Sequence, residues 1–276
     1  MFINDAIGTH LIVNDSVIES KLSTNIDLSQ TSVYEVIRII DSVPLYLEDH
    51  LERLFTSISL LGLSTSWQIC EITDKISNLL YANNIINGNI KLIISFYPDQ
   101  ELFLVYQIKH AYPTPELYSN GISTSVLFAE RKNPNAKQFQ SVRELAQKTI
   151  IQRSVYEVVL VNEKKNITEG SKSNLFFILD NNLITAKAEE VLKGITRKYV
   201  IAAAQNIGMK IYERSISLSE LNSFEAAFIS GTSPKILPIQ NIDQYNYQIE
   251  NLKLRLLMNE FNSLIDNYIK KKTFNF

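Results

Sequence analysis

Between Ser32 and Leu63 the apolar residues change their spacing, and that change limits what the chain can become. Ser32 to Asp41 (SVYEVIRIID) is rich in β-branched residues and reads as a strand. Asp41-Ser42-Val43-Pro44 is a turn signal leading into Leu45-Tyr46-Leu47, which makes a hairpin. From Glu48 to Leu63 the spacing is helical, with Leu51, Leu54, Phe55, Ile58 and Leu61 on one stripe. After the break at Gly62 to Ser64, a second helix is predicted from about Ser66 to Ile85. Ile90 to Phe96 and Leu102 to Ile108 flank the turn Tyr97-Pro98-Asp99-Gln100 as another hairpin. Hairpins alternating with separate helices argue for an α+β fold with mostly antiparallel neighbours.

With 276 residues, the chain is longer than one core usually organises. Ala111 to Gly121 (AYPTPELYSNG) holds two prolines and a terminal Asn-Gly, the composition of a linker. The expected organisation is an N-terminal α/β domain over 1–112, a linker over 113–120 and a second domain over 121–276. In that second part we predict strands at Ile122 to Phe128, Glu157 to Val161 and Glu225 to Ser230, and a hairpin of Asn174 to Leu179 with Leu183 to Ala186. Helices are predicted near Val142 to Ser154, over Thr196 to Ile207 and over Ile249 to Tyr268, followed by Lys270-Lys271-Lys272 as a solvated tail.

Composition removes several function classes. Lys plus Arg is 27 against 29 Asp plus Glu, a net charge of −2, so there is no electrostatic footprint for nucleic acid. A single cysteine, Cys70, excludes an internal disulfide or a multi-thiolate metal site, and three histidines argue against a histidine metal cluster. The start, Met1-Phe2-Ile3-Asn4, lacks the basic and apolar runs of a secretion signal, and no stretch approaches the ~20 apolar residues of a membrane span. A cytoplasmic protein without membrane or nucleic-acid partners is expected.

Two short segments could hold an anion. In Leu192-Lys193-Gly194-Ile195-Thr196-Arg197, at the head of a helix, the first amides and the Thr196 hydroxyl could face a phosphate; alternatively, Thr196 merely caps the helix. The strand Ala226 to Ser230 runs into Gly231-Thr232-Ser233-Pro234, either a second phosphate cup or a plain turn. Neither is a nucleotide fingerprint, which suggests a smaller phosphorylated ligand. Lys137, in PNAKQF, and Glu169, in ITEGS, have bland readings as solvated or turn residues. Arg53 falls nearly opposite the apolar stripe of its helix, so periodicity alone assigns it to solvent.

Taken together, YEVIRII at 34–40, HLERL at 50–54, PNAK at 134–137, TEGSKSNLFF at 168–177, LKGITR at 192–197 and SGTSP at 230–234 resemble the class IV, or fold-type IV, pyridoxal-phosphate enzymes. That family includes branched-chain and D-amino-acid aminotransferases and 4-amino-4-deoxychorismate lyase. The resemblance implies a smaller N-terminal α/β domain, a larger C-terminal domain with a barrel-like core, and a homodimer. It also implies that Lys137 bonds covalently to pyridoxal 5'-phosphate and that Glu169 faces the pyridine nitrogen. Arg53, Gly194, Ile195, Thr196 and Thr232 match the phosphate site, with Ser233 as a further candidate. A neutral lysine amine can attack an aldehyde and later move a proton, and a carboxylate on the ring nitrogen maintains an electron sink.

The substrate side departs from the pattern. Gln30-Thr31-Ser32 stands where the family usually has Gly-Asp-Gly, and Gln140-Ser141 follows the lysine segment where an Asn is common. Ile90 to Phe103 contains no arginine and no histidine, so the family's D-amino-acid carboxylate clamp is not expected. Strand alternation puts Tyr34, Val36 and Arg38 on one face, where Arg38 could meet a substrate carboxylate beside Tyr34; Lys91, Lys109 and Arg131 are weaker candidates. The leading expectation is an aminotransferase working between an amino acid and a 2-oxo acid. The alternatives are a lyase releasing pyruvate on the same cofactor, and a cofactor-binding protein without turnover.

Overall fold

The computed structural model describes residues 5–22, 26–29, 31–131, 133–138 and 142–273. Gln30, Gln140 and Ser141 lie outside them. The backbone divides into two compact units: residues 1–111 with 136–139 and 267–276, and residues 112–135 with 140–266.

The first unit contains β1 (Ala6–Val13), β2 (Ser16–Glu19), β3 (Ser32–Ile40), β4 (Val43–Pro44), helices α1 (Leu47–Leu60) and α2 (Ile69–Ala82), then β5 (Gly88–Phe96) and β6 (Glu101–Ile108). The six strands pair antiparallel in the order β2-β1-β6-β5-β3-β4. Asp41 and Ser42 join β3 to β4 with φ of 50° and 62°, the left-handed backbone that a two-residue hairpin requires. Alternation along β3 sends Val33, Ile37 and Ile39 into a core with Leu51, Leu54 and Ile58 of α1 and Ile72 and Ile76 of α2. Tyr34 goes to the opposite face, with Leu11, Leu28, Ile93, Leu104 and Tyr106.

The second unit runs through α3 (Pro115–Asn120), β7 (Ile122–Phe128), α4 (Val142–Arg153), β8 (Glu157–Val161), β9 (Asn166–Gly170), β10 (Asn174–Leu179), β11 (Asn182–Thr185), α5 (Ile195–Asn206), β12 (Ile211–Glu213), β13 (Ile216–Ser217), β14 (Ala226–Gly231), β15 (Lys235–Ile242), β16 (Tyr245–Asn246) and α6 (Leu252–Thr273). Its sheet is mixed, in the order β12-β11-β10-β14-β15-β7-β8-β9-β13, with β16 on β15. Phe177 of β10 stacks on Phe224 in its core, ring centroids 4.2 Å apart.

Two stretches differ from the sequence reading. Residues 113–120, read as a linker, lie within the second unit and carry α3, whose first turn begins at Pro115 where a proline is tolerated. Lys270 to Lys272 are no tail: they form the last turn of α6, where cations favour the helix dipole, and Lys272 pairs with Glu48. No described helix is long and apolar enough to cross a membrane.

Candidate active site

In the first unit the site forms where β3 meets α1. Glu35 shares the parity of Val33 and Ile37, so its side chain points toward the helix and is fully buried. On α1, His50, Arg53 and Ser57 make a polar stripe beside the apolar stripe of Leu51, Leu54 and Ile58, and all six residues are buried. The solvent assignment of Arg53 by periodicity is therefore overturned: Arg53 is 8% exposed, because Glu35 holds it inside. Its Nε and Nη2 donate to the two Glu35 oxygens at 2.8 and 2.6 Å, a bidentate pair. His50 Nδ1 lies 2.7 Å from Glu35 Oε2 and must carry the proton, since an ionised carboxylate only accepts.

Lys137 is fixed by its backbone. Its amide donates to Ser57 Oγ at 3.2 Å, its carbonyl accepts the Tyr34 amide at 3.1 Å, and Gln138 bridges to Val33. β4 pairs only with Ile39 and Ile40, so this segment occupies the β3 edge further toward its start. The Lys137 amine is 3.5 Å from Glu35 Oε2 and 5.6 Å from the centre of the Tyr34 ring. Burial alone would raise the Glu35 pKa, but Arg53, Lys137 and His50 together hold it well below the usual carboxylate range. His50 also falls below a free imidazole: burial lowers its pKa more than Glu35 raises it.

The second unit presents a different carboxylate. Glu169 is the next-to-last residue of β9, beside the segment that leads into α5. Its Oε1 pairs with Arg131 Nη1 at 3.1 Å, and its Oε2 accepts the Leu192 amide at 3.2 Å and Asn174 Nδ2 at 3.4 Å. Burial pushes the Glu169 pKa up to about 7, against the opposing pull of Arg131 and the Leu192 amide. Arg131, considered above for a substrate carboxylate, is engaged with Glu169 instead.

Gly194 is the N-cap of α5, and a Cβ there would stand 2.1 Å from Asn174 Oδ1, so no side chain fits. Thr196 is the second residue of the helix and does not cap it; no side chain caps this end. Thr232 and Ser233 sit half-buried in the turn between β14 and β15. On the Tyr34 face of the first unit, Arg38 is half-buried, and Lys91 is buried, pairing with Asp5 at 2.8 Å.

Glu35, His50, Ser57 and Asn174 were not singled out by sequence reasoning. For Glu35 a signal existed: it is an ionisable residue at the core-facing parity of a β-branched strand.

Comparison with known proteins identifies the family. The family model for amino-transferase class IV matches residues 32–242. A Rickettsia felis protein named "Probable branched-chain-amino-acid aminotransferase" is 27% identical over 233 residues, 79% of this chain and 80% of that one. D-alanine aminotransferase from Bacillus licheniformis is 26% identical over 228 residues, 76% of this chain and 78% of that one. The branched-chain aminotransferase structure from Escherichia coli superposes with a TM-score of 0.86 at 21% identity, covering 94% of this chain and 95% of that chain. A Legionella pneumophila structure, described as a candidate 4-amino-4-deoxychorismate lyase, reaches 0.74 at 21% identity over 83% and 91%. The chain belongs to the class IV aminotransferase family and has its fold. It is a pyridoxal-phosphate-dependent transaminase.

Two predictions arise from the carboxylates. Arg53→Ala should destabilise the cofactor-free protein by about 3–5 kcal/mol, because Glu35 stays buried without its main counter-charge. Adding Glu35→Gln should recover most of that loss in denaturant unfolding; a double variant as unstable as the single one would contradict the ion-pair account. For Glu169, a carboxyl raised from 4.5 to about 7 contributes stability that is full below pH 4.5 and is lost as pH rises through about 7. Glu169→Gln should remove that loss, so the variant's melting temperature should fall less than the parent's across this window. Equal slopes in cofactor-free samples would refute the raised pKa.

Proposed function

We propose that Lys137 carries the cofactor and moves a proton at the α-carbon of an amino-acid substrate, and that Glu169 faces the cofactor's ring nitrogen. The observation that carries this reading is the setting of Lys137: a buried amine on a clamped backbone, next to an ionised carboxylate. When bound, pyridoxal phosphate supplies an aldehyde that takes up the amino group and a ring that accepts the electron pair of the α-carbon. Lys137 must be neutral when it takes the proton from that carbon, and Glu35, 3.5 Å away, is the counter-charge to its protonated form. Glu169, with a proton affinity raised by burial, suits a partner that shares a proton with a ring nitrogen.

Phosphate binding is assigned within each unit. In the first, Arg53 supplies a guanidinium whose plane Glu35 fixes. In the second, Gly194, the Ile195 and Thr196 amides, the Thr196 hydroxyl, Thr232 and Ser233 supply short-range donors; the excluded side chain at Gly194 and the uncapped end of α5 support this. Tyr34 and Arg38 are assigned to the substrate carboxylate, since they share one face of β3. The reaction is transfer of the amino group between an α-amino acid and a 2-oxo acid.

A single-turnover screen tests the reading. Holoenzyme given branched-chain amino acids or D-alanine, the substrates in its relatives' names, should release one equivalent of 2-oxo acid without an acceptor. Pyruvate released from aminodeoxychorismate would instead mark a lyase, and neither outcome would mark a binder. Lys137→Ala should abolish release, and borohydride followed by peptide mapping should locate the cofactor on Lys137. Glu169→Gln should slow the chemical step by about two orders of magnitude, while Arg38→Ala should raise KM about tenfold. An Arg38 variant with unchanged KM would remove Arg38 from the site.

The protein is further proposed to work as a cytoplasmic homodimer. Cys70, its one cysteine, is a free exposed thiol, compatible with a reducing compartment. Leu145 and Ile151 of α4 are 48% and 68% exposed while Val142 and Ala146 of the same helix are buried, as fits a helix with a second surface to cover. Sedimentation equilibrium should give twice the 31.5 kDa chain mass; an active monomer would contradict the dimer.

A further inference from the structure

Glu157 opens β8, is 4% exposed, and has no part in the chemistry above. Its hydrogen-bond donors are an amide and a hydroxyl, with the Lys172 charge nearby. Oε1 accepts the Lys172 amide at 2.6 Å and the Ser171 hydroxyl at 3.3 Å. Both donors belong to the turn that follows Glu169. That turn closes through the Gly170 amide on the Ser173 carbonyl at 2.8 Å and delivers the chain to Asn174. A Cβ on Gly170 would stand 2.6 Å from Glu157 Oε1 and 2.3 Å from Ser173 Oγ, so the carboxylate lies where a side chain would otherwise be.

Each end of the turn bears on the site. Glu169 stands before it, and Asn174, leaving it, donates to the Leu192 carbonyl at 2.8 Å and to Glu169 Oε2 at 3.4 Å. An acceptor held by two donors of one turn restrains that turn, and a charged acceptor restrains it more strongly than a neutral one. Burial raises the Glu157 pKa while the Lys172 amide opposes it, and the Glu157 charge in turn adds to what raises Glu169.

We propose that Glu157 is a positioning residue for the cofactor site: it holds the Gly170 to Ser173 turn and thereby sets where Glu169 and Asn174 stand. The proposal rests on the reading that Glu169 faces the cofactor ring, and the test separates the two. Glu157→Ala, Glu157→Gln, Ser171→Ala and Glu169→Gln would be compared as holoproteins by visible circular dichroism of the bound cofactor and by its rate of dissociation. Neither readout depends on turnover. Glu157→Ala should lose much of the dichroism and release cofactor about tenfold faster, the effect of losing a charge-assisted contact. Glu157→Gln keeps the accepting oxygen but loses its charge and should restore both in part, standing between the Ala variant and the parent. Unchanged dichroism and release in Glu157→Ala, or a Gln variant as impaired as the Ala variant, would overturn the proposal. Should the Ala variant fail to fold, Ser171→Ala, which removes one donor, must show a smaller loss in the same direction, and no change there would equally overturn it. If Glu169→Gln itself leaves both signals unaltered, the ring-nitrogen reading fails, and the proposal falls with it.

Discussion

Glu35 is fully buried, and a carboxylate in that position must be met by cations or it costs the fold several kcal/mol. Arg53 meets it through two hydrogen bonds, His50 through a third, and Lys137 through its charge. The arrangement of Arg53, His50 and Lys137 in the first unit follows from this need. Arg53 cannot take the solvent position its helical wheel suggests, because its partner is inside. Lys137 is brought to the same carboxylate by a backbone segment that completes the edge of β3. An arginine held at both oxygens of a buried anion keeps a fixed plane, which is what recognition of a phosphate demands.

Two buried carboxylates, Glu35 in the first unit and Glu169 in the second, have opposite chemistry for one reason. Both lose solvation, but Glu35 gains two side-chain cations and a histidine, and its proton affinity falls. Glu169 gains one arginine and two amide donors, against the nearby Glu157 charge, and its proton affinity rises. Separating the pKa values of like groups by environment is how one chain keeps a permanent anion in one unit and a proton-sharing group in the other. The permanent anion orients cations; the other group can share a proton near neutral pH.

Much of this was legible from sequence where local chemistry is strong. The strands at 122–128, 157–161 and 174–179, and the helix beginning at Val142, lie where hydrophobic spacing puts them. Other elements gave weak signals for physical reasons. β15 contains Pro238, which argues against a strand within a sheet, and β9 carries the polar sequence NITEG, whose order comes from its neighbours. β1 exposes Gly8 and Thr9 and shows no clean alternation. Lys137, Glu169 and Arg53 were all legible only through resemblance, and periodicity sent Arg53 to solvent, since its burial depends on Glu35, a residue 18 positions away. Pairing across that distance leaves no periodic trace, and only the parity of Glu35 in its strand hinted at it.

The segments TEGSKSN and LKGITR are distinctive together, and the structure gives a physical cause for their coupling. Asn174, the last residue of the first, donates to the Leu192 carbonyl at the start of the second and reaches Glu169 as well. The amide of Leu192 donates to Glu169 in return. Gly194 lies so close to Asn174 that a methyl group there would collide with the amide oxygen. Changing Gly194 would therefore displace Asn174, and moving Asn174 would release a donor from Glu169. The two motifs form one hydrogen-bonded body that carries Glu169 and the head of α5 at a fixed separation. The steric contact at Gly194 enforces that separation more strictly than the hydrogen bonds alone.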